Sequence, residues 1–225
     1  MNKIKIITVV FDILLSNKEI EYLRGAVIHK LSGKVNDILA HNHIDRNGKL
    51  RYQYPLVQYK ILNGHAAIVC LEEGTHVISE LISGCDFSFM LGKRSVQMHV
   101  REFLPTLFEP RLSTDGFVYS VKRWQALNSN NYQTYKELVS LSDKISFLEN
   151  ILTGHVLALY RGLGIYVDIR VECSITKLSQ PYTTTYKDIT TTLFDLSFIC
   201  NISLPVNCGL GKGGSIGYGI IQEIK

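Results

Sequence analysis

Two histidines set two residues apart, His41 and His43, lie in a polar stretch that ends at Asp45-Arg46-Asn47-Gly48. Imidazole has an unperturbed pKa of about 6.5, so near neutrality one ring can take a proton while the other gives one. In an extended segment, residues two apart face the same side, which lets both rings address a single phosphate. Letters reading His-Asn-His also invite comparison with metal-dependent nucleases, but no second histidine cluster of the kind those sites need follows here. The second stretch with chemical content is Gly209-Leu210-Gly211-Lys212-Gly213-Gly214-Ser215-Ile216-Gly217-Tyr218-Gly219. Glycine allows positive φ and close approach, and backbone N–H groups clustered beside a lysine form an anion-binding concavity. A phosphate-bearing partner is the expectation.

Glycine motifs are separable by spacing. A Walker A loop is excluded because Gly213 follows Lys212 where Ser or Thr is required. The dinucleotide pattern fits Gly209, Gly211 and Gly214, yet only eleven residues follow, too few for the helix and strand of a βαβ unit. What fits is Gly-hydrophobic-Gly, five residues, Gly-hydrophobic-Gly, covering Gly209, Gly211, Gly217 and Gly219. This pattern resembles the glycine-rich loop of the RAMP superfamily of CRISPR-associated RNA-binding proteins. A glycine-rich hairpin without a ligand is the plain alternative.

The elements that must position these residues read as two βαββαβ halves. Residues 3–11 form a strand, and Ser16 to Glu19 offers a capping box for a helix with Ile20, Leu23, Val27, Ile28 and Leu31 on one stripe, ending near Gly33. Strands over 50–62 and 65–72 flank the hairpin signal Asn63-Gly64. A helix from Thr75 to Gly84 and a strand from Ser95 to Phe103 close the first half. The stretch Pro105 to Pro110, followed by Leu112 to Gly116, breaks both periodicities and sets the boundary, giving domains 1–108 and 109–225. The second half predicts a strand over 117–126 and one long helix over 132–161 bearing Ile145, Leu148, Ile151, Leu152, Val156 and Leu159. Strands are predicted from Ile165 to Thr176, over Phe194 to Leu204, and finally through Ile216, Tyr218, Ile220 and Ile224. Ser179 to Thr192 reads as strand extension or as exposed loop.

Bulk composition bounds the answer. The 225 residues are 46% hydrophobic and 20% charged, with a net charge of +4, so any nucleic acid must meet a local basic groove and not a uniformly basic surface. The five cysteines, Cys70, Cys85, Cys173, Cys200 and Cys208, show no CxxC spacing and read as reduced, buried thiols of a cytoplasmic protein, with no metal site. The apolar run in MNKIKIITVVF is too short and too charged for a signal peptide or a membrane span.

Within the RAMP superfamily, Arg51-Tyr52-Gln53-Tyr54-Pro55-Leu56-Val57-Gln58-Tyr59-Lys60, with His41-Asn42-His43 upstream and Leu23-Arg24-Gly25-Ala26 on helix one, is similar to the endoribonuclease that cuts precursor CRISPR RNA within its repeats. The resemblance implies an α+β fold of tandem ferredoxin-like (RRM-like) domains with the glycine-rich loop at the C-terminus. It implies cleavage without metal or cofactor, by 2′-hydroxyl attack leaving a 2′,3′-cyclic phosphate and a 5′-hydroxyl, with His41 and His43 as the acid–base dyad. Which ring is base is not set. Lys60 and Tyr54 are further catalytic candidates on the strand after the histidine loop, the lysine for holding the scissile phosphate and the tyrosine, like Tyr52, for stacking a base, with packing within the strand as the competing role. Arg24, Arg51, Tyr52, Gly209, Gly211, Lys212, Gly213, Gly214, Ser215, Gly217 and Gly219 are candidate RNA contacts. The implied partners are CRISPR repeat RNA and effector-complex subunits, and the family includes monomers and homodimers. A non-catalytic RNA-binding subunit and a nucleotide-binding ferredoxin-like domain are the competing readings. The doublets Lys93-Arg94 and Lys122-Arg123 either line a groove or are solvated, and His29, His65, His76, His99 and His155 fall in regular elements, where core or surface roles are commoner than catalysis.

Overall fold

The computed structural model describes residues 3–34, 39–40, 54–83, 86–186 and 189–224. Two compact units form, Met1–Glu109 with Ser215–Gly217, and Pro110–Gly214 with Tyr218–Lys225. Among the described residues, no helix is long and apolar enough to cross a membrane.

The first unit runs β1 (Ile4–Leu14), α1 (Ile20–Leu31), β2 (Val57–Leu62), β3 (His65–Leu71), α2 (Thr75–Ser83), β4 (Ser88–Leu91), β5 (Arg94–Gln97) and β6 (Val100–Phe108). Its sheet has the order β2-β3-β1-β6, all antiparallel, which is the ferredoxin-like arrangement, while β4 and β5 pair as a separate hairpin. Alternation explains the layering: Val9, Phe11, Val57, Tyr59, Ala66, Ile68 and Cys70 share one sheet face with the buried stripes of the helices, Leu23, Ala26, Val27 and Leu31 of α1 and Val77, Ile78 and Leu81 of α2. Leu23 and Leu31 are wholly enclosed, each contributing roughly 2 kcal/mol of burial. The opposite face carries Ile6, Thr8, Val10, Gln58, Lys60, Ala67 and Val69, also buried.

The second unit runs β7 (Leu112–Trp124), α3 (Ser129–Glu137), α4 (Leu141–Gly162), β8 (Cys173–Leu178), β9 (Tyr182–Tyr186), β10 (Ile189–Ile202) and β11 (Ile220–Glu223). The order β11-β7-β10-β8 repeats the ferredoxin-like arrangement, with β9 paired to the first half of β10. Leu148, Leu152, Val156 and Leu159 form the buried stripe of α4. One element of the fold is missing. Residues 203–219 connect β10 to β11 without a helix, so the glycine-rich segment stands where a second crossover helix would run.

Several elements depart from the sequence expectation. The closing strand of the first half is not Ser95 to Phe103 but β6, which continues through Pro105; β6 is an edge strand, where a missing N–H costs no ladder bond. The helix expected over 132–161 is two helices, because Asn128 and Ser140 each cap a separate start, accepting from the N–H of Asn131 at 2.8 Å and of Asp143 at 3.0 Å. The strand expected over 165–176 forms only from Cys173. The segment left open between strand extension and loop is the β9–β10 hairpin. The final strand is confined to β11.

The start of α1 follows the capping signal. The Glu19 carboxylate accepts from the Ser16 backbone N–H at 2.9 Å and from its hydroxyl at 2.8 Å. These bonds, the backbone one first, hold the Glu19 carboxyl below its ordinary range. A carboxylate favoured in the folded state contributes its stability above the unfolded pKa and loses it as pH falls through the folded one. Ser16→Ala should therefore lower unfolding free energy by about 1 kcal/mol at neutral pH and by less in acid, read from denaturant midpoints across pH.

Candidate nucleic-acid interface

His41, His43, Arg51 and Tyr52 lie outside the described residues. The residue before the pair does not: Ala40 is buried, and its carbonyl accepts the Tyr59 hydroxyl at 3.3 Å. Tyr59 sits on β2 with no exposed surface, and burial, with the Cys70 thiol adding to it, holds its hydroxyl far above the phenol range against the pull of Arg24. The hydroxyl therefore stays protonated and acts as a donor. Tyr54 is half-buried and precedes β2, so it is not a strand residue, while Arg24 is half-buried on α1. Lys60 points to the other face of β2 from Tyr59 and is wholly buried, with Gln58 beside it donating to the Pro55 carbonyl at 2.9 Å.

Ser215–Gly217 belong to the first unit. The Tyr59 N–H donates to the Ser215 carbonyl at 2.8 Å, and Tyr59 and Ile216 form a parallel bridge along the free edge of β2. Gly217 has φ +83°, and a Cβ there would strike Ile20 Cδ1.

The rest of the segment belongs to the second unit and is packed on itself. Gly209 and Gly214 touch backbone to backbone, Gly219 lies against Leu210, and Gly213 lies against the Tyr218 ring, over which the Arg123 guanidinium sits at 4.8 Å. Gly211, at φ +80°, crosses a pair of rings: a Cβ there would lie 2.8 Å from His155 Nδ1 and 2.9 Å from Trp124 Nε1. The Trp124 indole donates to His155 Nδ1 at 3.1 Å. Gly214, Ser215, Gly217 and Gly219 are buried, and Lys212 is exposed. Most of these glycines thus answer to close packing, and the basic tip at Lys212 is the part turned to solvent.

His155 and Trp124 were not legible as part of this site. The available signal was a histidine on the margin of an apolar helical stripe in a chain with one tryptophan. Burial, and next the charge of Lys212, push His155 down to about 4. Among the described residues no group of three or more His, Cys, Asp or Glu side chains is gathered to hold a metal ion. Cys70, Cys173, Cys200 and Cys208 are buried thiols, and the Cys173 Sγ donates to the Cys200 Sγ at 3.5 Å. Of the basic doublets, Arg94 pairs with Glu19 and Lys122 with Asp195.

Comparison with known proteins bears on the family and the fold. The Cas6b N-terminal domain profile matches residues 2–106, and the Cas6b C-terminal domain profile matches residues 111–224. The chain belongs to the Cas6b family. A crystal structure of Cas6b superposes with a TM-score of 0.87 at 21% identity, covering 99% of this chain and 100% of that one. The crystal structure of a CRISPR RNA processing endoribonuclease, Cas6b, gives 0.74 at 22% identity, with coverage of 99% and 100%. Csf5, a type IV CRISPR-Cas Cas6 crRNA endonuclease, gives 0.65 at 10% identity over the full length of both chains. These likenesses bear out the tandem ferredoxin-like fold. An uncharacterised protein of Methanocaldococcus jannaschii, MJ0978, is 29% identical over 105 residues, 47% of this chain and 70% of its own length. Membership of the Cas6b family bears out the RAMP resemblance drawn from the glycine pattern and the histidine segment.

The state of His155 gives a pH signature. Its folded pKa of about 4 lies below the ordinary 6.5, so between those values the unfolded chain takes a proton that the folded chain refuses. Stability from this group is complete above about pH 6.5 and is lost as pH falls toward about 4. Lys212→Ala removes one cause of the depression and should make that loss shallower, measured as unfolding free energy against pH for both proteins.

Proposed function

We propose that this Cas6b-family chain is an endoribonuclease that cuts the repeat RNA of precursor CRISPR transcripts. The observation that supports it is that family profiles match both halves of the chain, 2–106 and 111–224, with His41 and His43 inside the first. The reaction needs no group from outside the chain and its substrate. One imidazole of His41 and His43 takes the proton of a ribose 2′-hydroxyl. That oxygen bonds to the adjacent phosphorus, the bond to the 5′-oxygen breaks, and the second imidazole protonates the departing oxygen. A 2′,3′-cyclic phosphate and a 5′-hydroxyl result.

Positioning falls to the surroundings. Tyr59, by holding the Ala40 carbonyl, fixes the backbone immediately before His41. Tyr54, half-buried just ahead of β2, is better placed than the fully buried Lys60 to meet a base or the scissile group. Full burial argues for a role of Lys60 within the sheet. In the glycine-rich segment the RNA contact narrows to Lys212 and the backbone around it, because Gly209, Gly214, Ser215, Gly217 and Gly219 are engaged in packing. Lys212 supplies one phosphate contact.

Purified protein should cut repeat RNA at one site in excess EDTA, and a single 2′-deoxy substitution at that site should abolish the cut. His41→Ala or His43→Ala should lower the single-turnover rate by about 10² or more with RNA affinity held within a few-fold. Tight binding with no cleavage would instead support the non-catalytic RNA-binding subunit.

A further inference from the structure

We infer that His155 is a positioning residue for RNA binding: as acceptor of the Trp124 indole N–H it fixes the ring surface on which Gly211 turns, and thereby the place where Lys212 presents its charge. The inference rests on the reading of Lys212 as a phosphate contact. Its grounds are geometric. Trp124 has no exposed surface, so its indole N–H needs a partner inside the protein, and His155 Nδ1 at 3.1 Å is that partner. The bond fixes the tautomer, since an Nδ1 that accepts leaves the ring proton on Nε2. A row of rings holds the pair from below: Tyr135 to Phe194 at 5.7 Å, Phe194 to Trp124 at 6.2 Å, and Trp124 to His155 edge-on at 5.7 Å and 87°. Above the pair, Gly211 passes too close to admit a Cβ, and the next residue is tied to the chain beside the tryptophan by a bridge from Lys212 to Gln125, with N···O 3.4 Å. Two consecutive residues of β7 and its extension thus receive two consecutive residues of the glycine-rich segment. Protonation of His155 would turn its acceptor into a second donor facing the indole and add a positive charge beside Lys212.

Three substitutions test this in the full chain with repeat RNA. His155→Phe keeps a ring but leaves the indole N–H without an acceptor. It should weaken RNA affinity roughly fivefold and reduce the slope of log K against log salt by about 1, the same changes as Lys212→Ala, while the cleavage rate at saturating RNA stays within about twofold. The double variant should lose no more than either single, because both remove one contact. His155→Asn, whose Oδ1 can stand where Nδ1 stood, should restore affinity and slope. Gly211→Ala, which displaces the segment from above, should reproduce the Lys212→Ala changes and serves if His155→Phe does not fold. A folded His155→Phe or Gly211→Ala protein with the parental salt slope, or additive losses in the double variant, would overturn the inference and leave Lys212 as an RNA contact. A silent Lys212→Ala would remove the RNA role of the segment itself, and this inference with it.

Discussion

The glycine-rich segment takes its course from one hydrogen bond, that from the Tyr59 N–H to the Ser215 carbonyl. Strand β2 ends its sheet, and a strand at an edge leaves backbone donors unpaired; here they are buried with the strand, so a partner is obligatory. Three residues, Ser215–Gly217, supply it before the chain rejoins the second unit at Tyr218. So short an excursion leaves little room for side chains at its packed positions. Ile20 occupies the space a Cβ at Gly217 would need, and Leu210 the space at Gly219, both at positive φ. The density of glycine is therefore chiefly a consequence of where the chain must pass. Only Lys212 and its immediate neighbours are left turned outward.

Tyr59 serves that bond with its backbone and a different segment with its side chain. Its hydroxyl, kept protonated by burial, donates to Ala40, one residue ahead of the histidine pair. A single β2 residue therefore holds the lead-in to His41 on one side and Ser215–Gly217 on the other. The ring is too large and too enclosed to be there for the hydroxyl alone, since Tyr59 is also a member of the core under α1. Packing and placement of candidate functional segments are here the same contact, so sequence change at this position cannot alter one without the other.

The parts of the fold legible in the sequence are those whose cause is local. Ser16 and Glu19 announce a helix start because the bonds that make it are three residues apart. Asn63-Gly64 announces a hairpin because both residues must take positive φ, and they do, at 49° and 82°. Ile165 to Thr176 alternates as well as any strand in the chain, yet forms one only from Cys173. The reason is a partner: the β8–β10 ladder ends at Cys173 and Cys200, beyond which β10 reaches this segment only through Asn201, whose backbone N–H donates to the Glu172 carbonyl and whose side-chain amide donates to the Arg170 carbonyl. Residues 165–172 have the period of a strand without a ladder to join, and Tyr166 is 86% exposed. Periodicity reports a preference of the side chains and is silent about neighbours. Of the candidate site, the histidine pair and Lys212 were recognisable by type and spacing, whereas the burial of Lys60 and the service of Trp124 and His155 arise from tertiary contacts that no spacing encodes.

A histidine beneath the one basic residue of the glycine-rich segment is an obvious rival to His41 and His43 as a catalytic base, and its surroundings rule it out of that role. Brønsted behaviour makes a group with a pKa of about 4 a weak base at neutral pH, since it binds the proton it removes too feebly to help. The Nδ1 lone pair that would take the proton already accepts the Trp124 N–H. Accepting a second proton would require breaking that bond inside a buried ring cluster and placing a cation next to Lys212. Each of these costs acts in the same direction, so His155 remains neutral across the range in which imidazole usually titrates. General acid and base chemistry is therefore not the work of His155, and its position is explained by what it holds.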